Sequence, residues 1–420
     1  MKSIERLKAT LAHKQPDRVC VDFGSTLVTG MSVVAVTELR KALLGADDYR
    51  VKVIDPYQML GEIDEALQEA LGIDVVPVMG PRTLFGFENT AWKPFTLFDG
   101  TEVLVPARFN VTESGNGGWF IYPEGDTSVP PSGYMPRNGF YFDAICRQNP
   151  IDETALDPED NLQEFGPLGE DDLRHYVRQA EVARARGMGA VLSVPGAGFG
   201  DIALVPAMWL KRTKGIRDVQ EWYMSTIARR DYVYAVFEKQ CAIALDNLDR
   251  LARALGDAVQ VAFVTGTDFG QQYGAFIAPA AYRDLYQPFH REINGFIHKH
   301  THWKTFIHSC GSVIELIPDF IDAGFDILNP VQCSAAGMEA QTLKREFGKD
   351  LVFWGGGVDT QHTLPFGAPD EVYRQVRERI AIFNEGGGFV FNAIHNVQAR
   401  TPVANIVAMI DAVKEFNAAA

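Results

Sequence analysis

The chain has 420 residues, 46% of them hydrophobic, enough for one large enzyme domain or two ordinary ones with a sizeable core. Its 39 Lys and Arg stand against 54 Asp and Glu, a formal net charge of −15 with no basic run, which excludes a nucleic-acid backbone as partner. The five cysteines, Cys20, Cys146, Cys241, Cys310 and Cys333, are odd in number and widely scattered, so they fit reduced thiols better than a disulfide framework.

The opening "MKSIERLKATLAHKQPDRV" reads as an amphipathic helix with charges throughout. It lacks the apolar stretch of a signal peptide, and no later segment reaches the length of a membrane span, so the expected location is cytoplasmic, off the membrane. Strands are predicted at "RVCVDFGST" and "GIDVVPVM", then, from about residue 180, at "GAVLSVPG", "VQVAFVTGTD", "WKTFIHSCG", "FDILNPVQC", "LVFWGGGVDT" and "GGFVFNAIHN". Helix-period segments such as "PAAYRDLYQPFHREINGFIHKH" separate them. Eight such units predict an α/β fold, a TIM (β/α)8 barrel, with residues 1–420 as a single domain. Residues 83–150 break the pattern with hairpin-like stretches, "FTLFDGTEVLVP" with its Asp-Gly turn and "TESGNGGWFIYPEG", and are expected to form an insertion or lid.

In a βα barrel the chemistry lies where the strands end at their carboxyl side, so the residues closing each apolar run are the informative ones. They are Asp22, Asp268, His308 with Cys310, Cys333, Asp359 and His395. His308 and Cys310 stand two apart, Cys333 closes the adjacent strand and His395 closes the last, which neighbours the first. Together the four can hold one soft cation, and zinc suits such an N and S set. A lone buried cysteine is more often packed core, which is the reading for Cys20, Cys146 and Cys241. Asp22 and Asp268 either fix substrate or a ligand histidine, or cap the helix that follows. His395, Asp268 and Asp359 are the expected catalytic groups. Gln271 and Gln272, with Trp354 among the aromatic residues near strand ends (Phe269, Tyr273 and Phe289 are others), are expected to contact substrate, although aromatics at such spacing are commonly core.

The stretches "KQPDRVCVDFGST", "TDFGQQYGAFIAPAAYRDLYQPFHREI", "FIHSCGSVIELIPDFIDAGFDILNPVQ", "FWGGGVDTQHTLPFGAPDEV" and "GGGFVFNAIHNVQARTPVANIVAMIDAV" resemble the uroporphyrinogen decarboxylase superfamily, in particular its zinc-dependent, cobalamin-linked methyltransferase branch. That branch carries a His-x-Cys pair after the fifth strand, matched by His308 and Cys310, and a late cysteine before Thr-Pro, where "HNVQARTP" has His395 instead. Cobalamin-independent methionine synthase, a more distant relative, places a ligand on the strand after His-x-Cys, where Cys333 stands. The resemblance implies a zinc enzyme moving a methyl group between a small methoxyaromatic or otherwise methylated substrate and a corrinoid (cobalamin) held on a separate corrinoid protein; a homodimer is one assembly open to it, on which the sequence does not decide. The decarboxylase is the rival, but its early arginine-rich segment is replaced here by "VDFGSTLVTGMSVV", which has no arginine to clamp carboxylates. A scaffold that only docks a corrinoid protein is the non-enzymatic alternative.

Overall fold

The computed structural model describes residues 1–45 and 48–419. The eight predicted strands are all present and parallel: β1 (Cys20–Val21), β2 (Val75–Val78), β3 (Gly189–Ser193), β4 (Val261–Thr265), β5 (Lys304–His308), β6 (Ile327–Asn329), β7 (Val352–Trp354) and β8 (Phe389–Phe391). They form one sheet in the order β1-β8-β7-β6-β5-β4-β3-β2, as a barrel requires. The seam between β1 and β2 is fastened by Asp74, whose backbone N–H donates to Val21 O at 2.9 Å and whose carboxylate accepts from Val21 N at 3.1 Å. Arg6 and Arg18 hold that buried carboxylate at 2.6 and 2.9 Å, which ties the N-terminal helix to the base of the barrel.

Runs of β-branched and aromatic residues make these short strands because both of their faces are buried, one against the helices and one inside the barrel. Inside, Val75, Val191, Val261, Phe306, Val352 and Trp354 pack as one cluster with Leu7 and Leu11 of the helix Ser3–Leu11, which plugs the amino-terminal end. Leu7 is fully buried, so truncating it to alanine costs about 3 kcal/mol. Cys20 lies in this interior and Cys241 in the surrounding helical layer, the expected core roles. Cys146 corrects the expectation: it is exposed, its thiol 3.1 Å from Asp218 Oδ2.

Residues 93–144 hold antiparallel structure. Lys93–Thr96 pairs with Glu102–Val105, and a four-stranded sheet is built from Val111–Glu113, Trp119–Ile121, Gly133–Met135 and Asp143–Ala144. Phe142 meets both Phe85 and Phe109 edge-on at 6.0 Å, an aromatic core separate from the barrel interior. Among the described residues no helix is long and apolar enough to cross a membrane.

Candidate metal centre and active-site cavity

β5 runs buried from Thr305 to His308, and two loops then fix the chain beyond its end. Between β4 and β5 the register shifts at Phe263/Thr265, a bulge of the kind that re-aims a chain at a barrel rim. Beyond it Asp268 Oδ1 accepts from Cys310 N at 2.6 Å, and Ser309 Oγ accepts from Phe269 N at 2.8 Å. Gly311 makes this closeness feasible: its φ is +82°, and a Cβ there would stand 2.4 Å from Gly270 C.

The Cys310 thiol lies 3.3 Å from His308 Nε2, and the His308 and His395 rings meet edge-on at 5.2 Å. One ligand atom from each of His308, Cys310 and His395 lies within 4.8 Å of the other two. His308 is oriented from behind, its Nδ1 2.5 Å from Asn329 Oδ1, while Asn329 Nδ2 donates to Trp354 O at 2.7 Å. The amide therefore presents its oxygen, Nδ1 carries the proton, and the Nε2 lone pair faces the thiol. His395 adopts a left-handed backbone, φ +69°, uncommon for a residue with a side chain. Asn396 pins that turn by accepting from Gly30 N at 2.5 Å and donating to Leu27 O at 2.9 Å and Gln58 Oε1 at 2.8 Å.

Burial lowers the His308 pKa to about 4, against the Asn329 bond that favours protonation. His395 is lowered to about 3, first by burial and then by repulsion from His308, with Asp268 opposing. Both rings are neutral at neutral pH, and the Nε2 lone pair of His308 is free to ligate. Burial, with the nearby Asp268 carboxyl, pushes the Cys310 thiol up. Asp268 is itself raised by burial, although the Cys310 N–H and His395 favour its charge. A cation would displace the thiol proton, and N, N and S donors at this spacing suit zinc.

The cluster opens on a cavity of about 810 Å³ lined by His308, His395 and Asp268 together with Asp201, Tyr57 and Phe263. A second cleft of about 550 Å³ at the β1–β2 seam contains none of the cluster residues.

Several predicted site residues lie elsewhere. Cys333 does not join the cluster. β6 ends at Asn329, which takes the place facing His308; four residues on, Cys333 is buried with its N–H bonded to Val331 O. Asp22, 0% exposed, is enclosed by Ser25 Oγ at 2.7 Å and Trp354 Nε1 at 2.8 Å, and Trp354 is likewise 0% exposed inside the barrel. The two hold each other beneath the site and line none of the cavity. Gln271 is exposed, and Gln272 binds Ser334 O at 2.5 Å and Gln332 Nε2 at 3.2 Å, so the pair zips rim loops together. Asp359 accepts from Gln361 N at 2.9 Å and lies 3.3 Å from His362 Nδ1, shaping the turn after β7. Tyr273 is 87% exposed, while Phe269 and Phe289 are buried core. Asn329, Asp201 and Tyr57 are the residues that strand-end reading passed over. Asp201 in "GAGFGDIA" follows a strand as Asp268 does, but stands eight residues beyond Ser193, across a glycine-rich loop.

A parallel eight-stranded barrel with a His-Cys-His cluster among its carboxyl-end loops defines an α/β-barrel protein whose site is fit for a metal. A family model described as uroporphyrinogen decarboxylase (URO-D) matches residues 194–416, from the end of β3 through the whole cluster. The chain belongs to the uroporphyrinogen decarboxylase family. A protein named uroporphyrinogen decarboxylase from Pelobacter propionicus is 25% identical over 226 residues, 53% of this chain and 61% of that one. Another of the same name from Geobacter metallireducens is 26% identical over 258 residues, 60% and 68%. The chain thus spans less than two thirds of the first relative's length. Among solved structures, a methyltransferase from Methanosarcina mazei superposes with a TM-score of 0.52 at 16% identity over 99% of both chains, a likeness of fold.

Proposed function

We propose that this protein is a zinc-dependent methyltransferase that moves a methyl group between an aryl methyl ether and a corrinoid carried on a partner protein. The observation that carries the reading is the convergence of His308, Cys310 and His395, with His308 aimed by Asn329. His308, Cys310 and His395 would hold the zinc, and bound there it would supply a Lewis acid for the ether oxygen. His395 Nδ1 accepts from Asn396 N at 2.8 Å, a bond worth about 1 kcal/mol that ligation through the ring must outweigh. Asp268, anchored on Cys310 N, balances the charge beside the cluster. The antiparallel excursion, whose ends place Leu84 and Ala144 in the cavity wall, serves as its lid.

The name of the curated relatives implies a substrate rich in carboxylates, and the cavity speaks against it. Among the described lining residues the one Lys or Arg is Arg217, and that guanidinium is buried in an ion pair with Glu164 at 2.7 Å. Asp201 and Asp268 would repel a polyanion. The reading is tested by metal analysis of the purified chain paired with a spectral assay for methylcobalamin formation from methoxyarenes. Zinc-dependent transfer that disappears in Cys310→Ala is expected. Carbon dioxide release from a porphyrinogen without any methyl transfer would overturn it.

A further inference from the structure

Asp201 sits in the loop after β3, which is fixed to the loop after β4 where Thr267 Oγ1 donates to Phe199 O at 2.8 Å. Its Oδ1 accepts from Ala203 N at 2.9 Å; its Oδ2 has no hydrogen-bond donor among the described residues. The carboxyl is admitted by Gly266, where a Cβ would stand 3.0 Å from Oδ2. Tyr57, which also lines the cavity, has no hydrogen-bond partner for its hydroxyl among the described residues. Burial raises the Asp201 pKa to about 6, with Asp268 adding repulsion, so the group is chiefly ionised at neutral pH with no cation among the described residues to meet it. Asp201 is half-buried, and its unpartnered oxygen belongs to the wall of a cavity that Val194 and Phe263 also line, where a partner from the cavity would be favoured.

Resting on the methyltransferase reading, we infer that Asp201 is a specificity-determining residue that receives a cationic ammonium group of the substrate, so that the substrate joins a methylated oxygen to a distal amine across an apolar middle. A hydroxyl would satisfy the oxygen's lone pair but leave its charge uncompensated. An ammonium answers both needs, and a carboxylate answers neither.

The test is calorimetric titration of the zinc-loaded full chain with three matched probes: para-methoxyphenethylamine, the corresponding alcohol, and para-methoxyphenylacetate. The amine is expected to bind about tenfold or more tighter than the alcohol, with the carboxylate weakest. In Asp201→Asn the preference for amine over alcohol should fall to about one, in a protein whose circular dichroism is unchanged. Should that variant not fold, the wild-type ranking carries the test. A ranking unchanged in folded Asp201→Asn, a carboxylate bound as tightly as the amine, or binding of none of the three would overturn the inference. No corrinoid is present, so the outcomes separate. An intact ranking without methyl transfer sinks the methyltransferase reading alone, and methyl transfer without the ranking sinks this one alone.

Discussion

His308 Nδ1 lies 2.5 Å from Asn329 Oδ1, and Asn329 cannot turn its amide over because Nδ2 is committed to Trp354 O at 2.7 Å. One buried amide thereby decides which nitrogen of His308 is free, and ties the end of β5 to the ends of β6 and β7.

Asn329→Leu should therefore weaken zinc affinity about 10- to 100-fold, because the imidazole loses its orienting acceptor while all three ligand atoms remain. Asn329→Asp keeps an acceptor and should retain zinc better, though it leaves Trp354 O without its donor. Competition with a chromogenic chelator measures both; equal affinity in wild type and Asn329→Leu would show that the amide does not position the ring.

Cys310→Ala and His308→Ala should each lose tight zinc while keeping the fold, since neither is needed to pack the barrel interior. Cys333→Ala should keep one zinc per chain and lose only packing, about 1 kcal/mol. Metal analysis after dialysis distinguishes them. Stoichiometric zinc in a His308→Ala/Cys310→Ala double variant would remove the site.

The eight strands were legible because each is a short run of β-branched or aromatic residues closed by a glycine or a polar group, and His308 and Cys310 because they close one such run. Which strand-end groups face the cavity was not legible. Strands of two to five residues do not determine where the chain points once it leaves the sheet. Val331, at φ +60°, turns the chain after β6, Cys333 stays outside the cluster, and Asn329 is left buried behind His308. Asp22 ends its strand as expected but turns inward to Trp354, a contact between residues 332 positions apart that no local pattern encodes. Asp201 was hidden by the long glycine-rich loop before it.

Gly311→Ala should cost about 2 kcal/mol or more and release zinc, because the added Cβ collides with the Gly270–Gln271 backbone and the residue is held at positive φ. The loops carrying Asp268 and Cys310 would have to part. Thermal melting with and without zinc reads both effects; a variant with wild-type melting and metal content would contradict the proposed crowding.

His290 is buried among Tyr282, Phe325 and Phe269, and burial lowers its pKa to about 3 from an ordinary 6.5. The unfolded chain therefore binds the proton first. Stability from this residue is present above pH 6.5 and is lost as pH falls towards 3, on the order of 5 kcal/mol in full. His290→Phe gives up the 2.9 Å bond to the Tyr282 hydroxyl but removes that acid liability. In chelator-treated protein its urea midpoint should fall less than wild type's between pH 6.5 and 4. Parallel pH profiles would show that His290 does not titrate in this way.

The most direct test of the central claim, a zinc held by His308, Cys310 and His395 with one position open, is X-ray absorption at the zinc edge of the metal-loaded protein. One sulfur at about 2.3 Å, two imidazole nitrogens at about 2.0 Å and one further light donor are expected. Two or more sulfur donors, or none, would contradict it.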